Sequence, residues 1–114
     1  MSRKAYNHLT FDQNRALAYL RLRLLDMGFV ESILLYGSVV RGEADEESDI
    51  DLLVLTSRKL SRYERHQITD LVYDVNLAEG TNFSTLVVDR PSWENGLFSV
   101  LPIHKQIAKE GIPV

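Results

Sequence analysis

The chain has 114 residues, a net charge of -3, 45% hydrophobic and 25% charged residues, and no cysteine. That is one domain of ordinary soluble composition. It excludes disulfides, thiolate metal cages and a cysteine nucleophile, and the acidic balance argues against gripping long nucleic acid through its phosphates. No apolar run approaches the roughly 20 residues of a membrane span. Basic Arg3-Lys4 is followed by no apolar stretch, so a secretory signal is not expected and the cytoplasm is the expected location.

In chain order, residues 11–27 are expected to form a helix. Leu17, Leu20, Leu24 and Met27 recur on one face, Thr10 is placed to cap it, and Gly28 stops it. Ser32 to Tyr36 is a buried strand ending at Gly37, with a short helical turn at Val39–Arg41. The polar, acidic stretch from Glu43 to Ser48, which includes Asp45, Glu46 and Glu47, is a solvated loop. A second buried strand covers 50–55 and a charged helix covers 61–79, with Ile68, Leu71, Val72 and Val75 inward. The break Gly80-Thr81-Asn82 leads into a third strand, 83–88, rich in β-branched residues. A short helix opens at Pro91, where the missing N–H costs nothing. A last one covers 102–110, with Ile103 and Ile107 inward and Gly111 as its stop. The order implies an α/β (α+β) domain, a mixed sheet with helices packed on it.

The informative exception to the apolar second strand is Asp49-Ile50-Asp51. Alternation puts both carboxylates on one face, with Cα atoms roughly 6.6 Å apart. Burying them unpaired would cost several kcal/mol, so an arginine, water or a divalent cation has to lie between them. Magnesium suits the pair: it takes carboxylate oxygens and keeps sites for phosphates and water. Two such ions can serve an in-line phosphoryl displacement. The plainer reading has Asp49 capping a turn and Asp51 paired with a lysine or arginine.

Gly37-Ser38 follows a strand directly and opens a helical turn. Glycine lets a phosphate approach the backbone, N–H groups at a helix start attract anions, and Ser38 adds a hydroxyl. Arg41 places a cation one turn later, and Gly42 lets the chain leave. Ten residues separate Ser38 from Asp49, enough to bring phosphate cradle and carboxylates across one cleft.

The stretch Gly37-Ser38-Val39-Val40-Arg41-Gly42, followed by Ser48-Asp49-Ile50-Asp51-Leu52-Leu53-Val54, resembles the signature of the polymerase-beta-like nucleotidyltransferase superfamily, and most of all its minimal nucleotidyltransferases. The resemblance covers residues 11–114 and includes the closing Leu101-Pro102-Ile103 to Glu110-Gly111. It implies the polymerase-beta-like fold and transfer of a nucleoside monophosphate, AMP first among candidates, from a triphosphate to an acceptor hydroxyl with release of pyrophosphate. By the same resemblance, Gly37 and Ser38 hold the terminal phosphates, and Asp49 and Asp51 are catalytic and ligate two magnesium ions. Arg41, Gly42 and Ser48 shape the nucleotide site. It further implies pairing with a HEPN-domain protein, for which the minimal nucleotidyltransferase acts as antitoxin, and a homodimer is compatible with so small a domain.

Active members of the superfamily use a third carboxylate on a later strand. Here that strand holds no acid: Ser84 or Thr85 takes its place, Asp89 lies at the far end, and Asp74 is in a helix. The departure leaves two functions open, an active transferase and a nucleotide-binding scaffold that acts on a partner without turnover. A structural acid pair without nucleotide binding is the third.

Several other residues invite plainer assignments. His8, His66 and His104 lack ligand spacing and are expected at the surface. Tyr36 is expected in the core, and Trp93 is expected to pack a terminal helix on the sheet. The basic run from Arg58 to Arg65 is expected to be a solvated helix start, with Arg58 or Lys59 near enough to Asp51 to touch a phosphate.

Overall fold

The computed structural model describes residues 8–45 and 47–114. Glu46 of the acidic loop and the basic Arg3-Lys4 pair lie outside the described residues. Helix α1 (Phe11–Leu25) starts at a capping box: Thr10 Oγ1 accepts from the Gln13 N–H and the Gln13 side chain accepts from the Thr10 N–H. It ends two residues before the expected Met27, with Asp26 at its C-cap. Strand β1 (Val30–Tyr36) is followed by α2 (Ser38–Arg41), β2 (Ile50–Thr56) and α3 (Arg62–Glu79). Ser61 and Glu64 form a second capping box at the head of α3. Then come β3 (Phe83–Asp89), α4 (Arg90–Glu94), a 3-10 turn at Leu97–Val100, α5 (Pro102–Glu110) and a short strand β4 (Ile112–Pro113). The 3-10 turn and β4 carry no periodicity and are additions to the sequence reading.

The sheet order is β3-β2-β1-β4. β1 lies antiparallel to both β2 and β4, and β2 lies parallel to β3. A parallel pair needs a crossover, and α3 provides it. Alternation along the strands divides the core in two. Ile33, Leu35, Ile50, Leu52, Val54 and Phe83 face α1 and α3, in one cluster with Leu17, Leu20, Leu24, Ile68 and Val75. Leu53, Leu55 and Val88 face the other way, against Trp93 and Ile107. Among the described residues no helix is long and apolar enough to cross a membrane.

On this second face the cover is incomplete. Trp93, buried as expected, stacks on His104 with ring centroids 4.3 Å apart and reaches Phe98 at 6.4 Å. His104 is thus half-buried against an aromatic ring rather than free on the surface, because the face of α5 that carries Ile107 also turns His104 towards α4. α4 and α5 close over Leu53, Leu55 and Val88. Asp51 and Ser84 share this face through alternation at the opposite end of their strands.

Candidate functional site

The site grows from two adjacent strand ends. Tyr36 at the end of β1 pairs with Asp51 at the start of β2, and Asp51 pairs with Ser84 on β3. The three side chains therefore lie in a row across one face. The turn after Tyr36 brings Gly37 back over this row. Gly37 has φ 88 and ψ -157, a conformation essentially reserved to glycine. A Cβ there would overlap Asp51 Oδ2 and come within 3.3 Å of its Cγ. The missing side chain of Gly37 is what lets the Asp51 carboxylate rest against the backbone.

Electrostatics follow from this packing. Burial, and then the neighbouring Asp49, push the Asp51 carboxyl above its ordinary 3.8, while Arg41 opposes them. Asp49 is exposed just before β2 begins. Burial, and then Asp51, raise the Tyr36 phenol as well. Tyr36 packs on the second apolar cluster, as expected of a core residue. The site thus carries negative charge that its own cations do not fully offset.

Arg41 is the cation of the site, and it is engaged. Its Nε donates to Glu43 Oε1 at 2.9 Å, and one terminal nitrogen donates to both oxygens of Glu110 at 3.1 and 3.0 Å. Glu43 is therefore bonded rather than simply solvated. Glu110, the last residue of α5, also accepts the Gly37 N–H at 2.8 Å. Burial pushes the Glu110 carboxyl up, but the Gly37 N–H, Arg41 and Gln106 together hold it below its ordinary value. In the sequence Glu110 stands only within a closing pattern. The one signal for more is an acid placed at the end of a helix, where the dipole disfavours it.

The other candidate residues are distributed as follows. Ser38 opens α2, half-buried, directly after Gly37. Gly42 takes the left-handed conformation at φ 74 and ends that turn. Ser48 is turned to the acidic loop: its hydroxyl accepts from the Asp45 N–H at 3.0 Å and donates to Asp45 Oδ1 at 3.1 Å. Between Ser84 and Thr85, the register with Asp51 falls on Ser84. Asp89 pairs with Thr56 at the opposite end of the sheet and caps α4 by accepting the Ser92 N–H. Asp74 lines a groove between α1 and α3 on the other face.

Arg58 and Lys59 do not reach the site. They follow Thr56, five residues along β2 from Asp51, which is roughly 16 Å of extended chain. Arg58 pairs with Glu64 at 2.7 Å and lies over the Phe29 ring at 5.7 Å. The Arg58–Arg65 run is the solvated helix start expected of it.

The donor set suits a hard cation that shares its coordination with a ligand. Asp49 and Asp51 offer carboxylate oxygens, Asp51 is short of positive charge, and the Gly37 gap keeps its oxygen in place. Among the described residues no group of three or more acids and histidines has ligating geometry. Two carboxylates leave positions for water and phosphate, the arrangement magnesium favours.

Comparison with known proteins shows the family and the fold. The family model described as polymerase beta, nucleotidyltransferase, matches residues 24–92. A Methanocaldococcus jannaschii protein, named as a candidate protein adenylyltransferase, is 40% identical over 60 residues, 51% of this chain and 41% of that protein. The match thus spans about two-fifths of that relative's length. A solved structure described as a candidate minimal nucleotidyltransferase superposes with a TM-score of 0.61 at 27% identity, over 95% of this chain and 99% of that one. The crystal structure of a toxin–antitoxin with AMP-PNP has a TM-score of 0.56 at 22% identity, over 83% of this chain and 69% of that one, and shares the fold. A mutant toxin–antitoxin MntA–HpeT shares it too, with a TM-score of 0.51 at 24% identity, over 82% and 67%. With more than half of its length matched by the family model, and the Gly-Ser turn and Asp-x-Asp strand inside the matched span, the chain belongs to the polymerase beta nucleotidyltransferase family.

Proposed function

We propose that this domain is a magnesium-dependent nucleotidyltransferase that takes a nucleoside triphosphate, ATP first among them, and transfers its monophosphate to a hydroxyl of a protein or small-molecule acceptor. One observation carries this reading. The Asp51 carboxylate, half-buried and beside Asp49, is held against a glycine turn whose backbone N–H and following arginine are bonded to another carboxylate, Glu110, and so are donors suited to an anion. A structural acid pair would not need glycine in that conformation, and would find its counter-charge in a lysine or arginine of its own.

In this reaction the acceptor oxygen forms a bond to the α-phosphorus and the bond to the bridging oxygen of the β-phosphate breaks. Pyrophosphate leaves. Magnesium bound by Asp49 and Asp51 would supply charge neutralisation for the triphosphate and the leaving group. Gly37 and Ser38, with Arg41, bind and orient the phosphates. Gly42 and Ser48 shape the turn and the loop that flank them.

The acceptor hydroxyl must also lose its proton. In register with Asp51 stands Ser84, which is no base at neutral pH. The proton therefore goes to water, or to a base that arrives with the acceptor. This favours an acceptor that is itself a protein surface. It is compatible with the antitoxin half of a toxin–antitoxin pair, the kind of assembly in which two structures of the same fold were solved. A HEPN-domain protein is the partner proposed, and adenylylation is the transfer that the name of the Methanocaldococcus jannaschii relative describes.

Ser84 also supports a second reading, a domain that binds nucleotide and partner without turnover. Calorimetric titration with ATP, GTP, CTP and UTP, with and without magnesium, tests both. Magnesium-dependent binding that disappears in Asp49→Asn/Asp51→Asn, with an unchanged circular dichroism spectrum, is the expected result. Binding that persists in the double variant refutes the site. A labelled-nucleotide transfer assay with candidate partners then separates turnover from scaffolding.

A further inference from the structure

Glu110 holds hydrogen-bond donors of the kind an anionic ligand uses. It accepts the Gly37 N–H at 2.8 Å and the Arg41 guanidinium at 3.0 and 3.1 Å, and Gln106 Nε2 donates to it at 3.2 Å. These include the backbone donor and the cation that the proposed function assigns to phosphate. The carboxylate side chain is 15% exposed, so water competes for it weakly.

The fold delivers it there firmly. α5 ends at Glu110, and the Gly111 N–H bonds to Ile107 O at 2.7 Å. A Cβ on Gly111 would lie 2.7 Å from that same oxygen and 3.1 Å from Leu34 Cδ2, so only glycine lets the chain turn this tightly against β1. β4 follows at once, with Ile112 paired to Leu35 and Pro113 to Leu34. That pairing anchors the chain two residues on from Glu110 to the strand that ends just before Gly37. A carboxylate at a helix C-terminus faces the unfavourable end of the helix dipole, and close to Asp51 it adds to that group's negative surroundings. The contacts with Gly37 and Arg41 offset both penalties.

We propose that Glu110 is a resident anion of the phosphate cradle. It occupies the Gly37 amide and Arg41 in the ligand-free protein, and a triphosphate takes these donors from it. The inference rests on the proposed nucleotide site and adds its regulation. Arg41 is held ready by Glu110 and Glu43, and nucleotide binding is weaker than the bare cradle would allow. Only a ligand bearing several phosphate charges competes effectively, so mononucleosides gain nothing from the displacement.

The test is calorimetric titration of the full chain with magnesium-ATP, magnesium-pyrophosphate and adenosine, for wild type, Glu110→Gln and Glu110→Ala. Charge-assisted hydrogen bonds given up by Glu110 should appear as affinity for the competitor. Glu110→Ala should bind ATP and pyrophosphate about tenfold tighter than wild type, in line with such bonds. Glu110→Gln, which still offers an oxygen to Gly37, should fall between. Adenosine should show no gain. Unchanged or weaker pyrophosphate binding in Glu110→Ala overturns the proposal and makes Glu110 a group that merely positions Arg41. If wild type binds and needs Asp49 and Asp51 while the Glu110 variants show no gain, only this inference fails. If no form binds ATP or pyrophosphate, the nucleotide reading fails and this one with it.

Discussion

The tightest geometric demand in the site falls on Gly37, and Gly37→Ala is the substitution that tests it. Two costs add. The backbone at φ 88 and ψ -157 is one that residues with a side chain occupy at about 1–3 kcal/mol. The new Cβ would also overlap Asp51 Oδ2, so the carboxylate has to swing off its rotamer, at about 1 kcal/mol. Together they predict a loss of roughly 3 kcal/mol. For a domain of this size that is a fall in melting temperature on the order of 10 °C. Thermal denaturation followed by circular dichroism reads the total, and a double-mutant cycle with Asp51→Ala separates the parts. The backbone cost remains when Asp51 is truncated, while the clash disappears, so the cycle should return a coupling of about 1 kcal/mol. Magnesium-dependent ATP binding should weaken about fivefold in Gly37→Ala, since the roughly 1 kcal/mol needed to return Asp51 to its place is then drawn from binding. A melting temperature within about 2 °C of wild type would refute the conformational argument. A coupling of zero would show that Asp51 does not rest on Gly37.

Two more predictions concern the acids of the row. Because burial, and then Asp49, raise the Asp51 carboxyl above its ordinary 3.8, the folded chain holds that proton more tightly than the unfolded chain. Stability therefore falls as pH rises from 3.8 through the raised value. Asp51→Asn should melt above wild type at pH 7, with the difference closing below pH 3.8; a variant that melts lower at pH 7 would contradict the assigned cause. Ser84→Asp places a carboxylate in register with Asp51 and should raise the rate of nucleotide transfer to a competent acceptor by at least about tenfold, within the range general bases supply. No change in rate would mean that a base is already provided from elsewhere.

Much of this fold was legible because its signals are local. The leucines of α1 and the aliphatic stripe of α3 repeat with helical period, and Thr10 and Ser61 stand where caps are needed. The Gly-Ser turn and Asp-x-Asp strand were legible for another reason: each departs from what a plain buried strand requires. What was hidden depends on contacts distant in sequence. Gly37 and Glu110 are 73 residues apart, and no periodicity links them. β4 has two residues and gains its partner only when α5 has packed. The expectation that Arg58 or Lys59 could meet a phosphate failed on strand direction, because residues that follow β2 leave from the end opposite to Asp51. His104 was misjudged because its partner, Trp93, belongs to another helix.

In the row Tyr36, Asp51, Ser84, the residue at position 84 can change without changing the fold. Strand register alone decides which side chain stands beside Asp51, and at the β3 position a serine leaves the backbone pairing untouched. Ser84 is exposed and belongs to neither apolar cluster, so core packing does not fix the identity of residue 84. Glu110 has no such freedom. Its carboxylate is bonded to a backbone amide, to Arg41 and to Gln106, so its loss alters the cradle itself. Evidence on turnover should thus come first from position 84, where substitution is structurally cheap. Evidence on nucleotide affinity should come from position 110, where the donors proposed for phosphate are already in use. If the two variants moved the same parameter, turnover and nucleotide affinity would not be separable in this site, and strand and helix would not divide these roles between them.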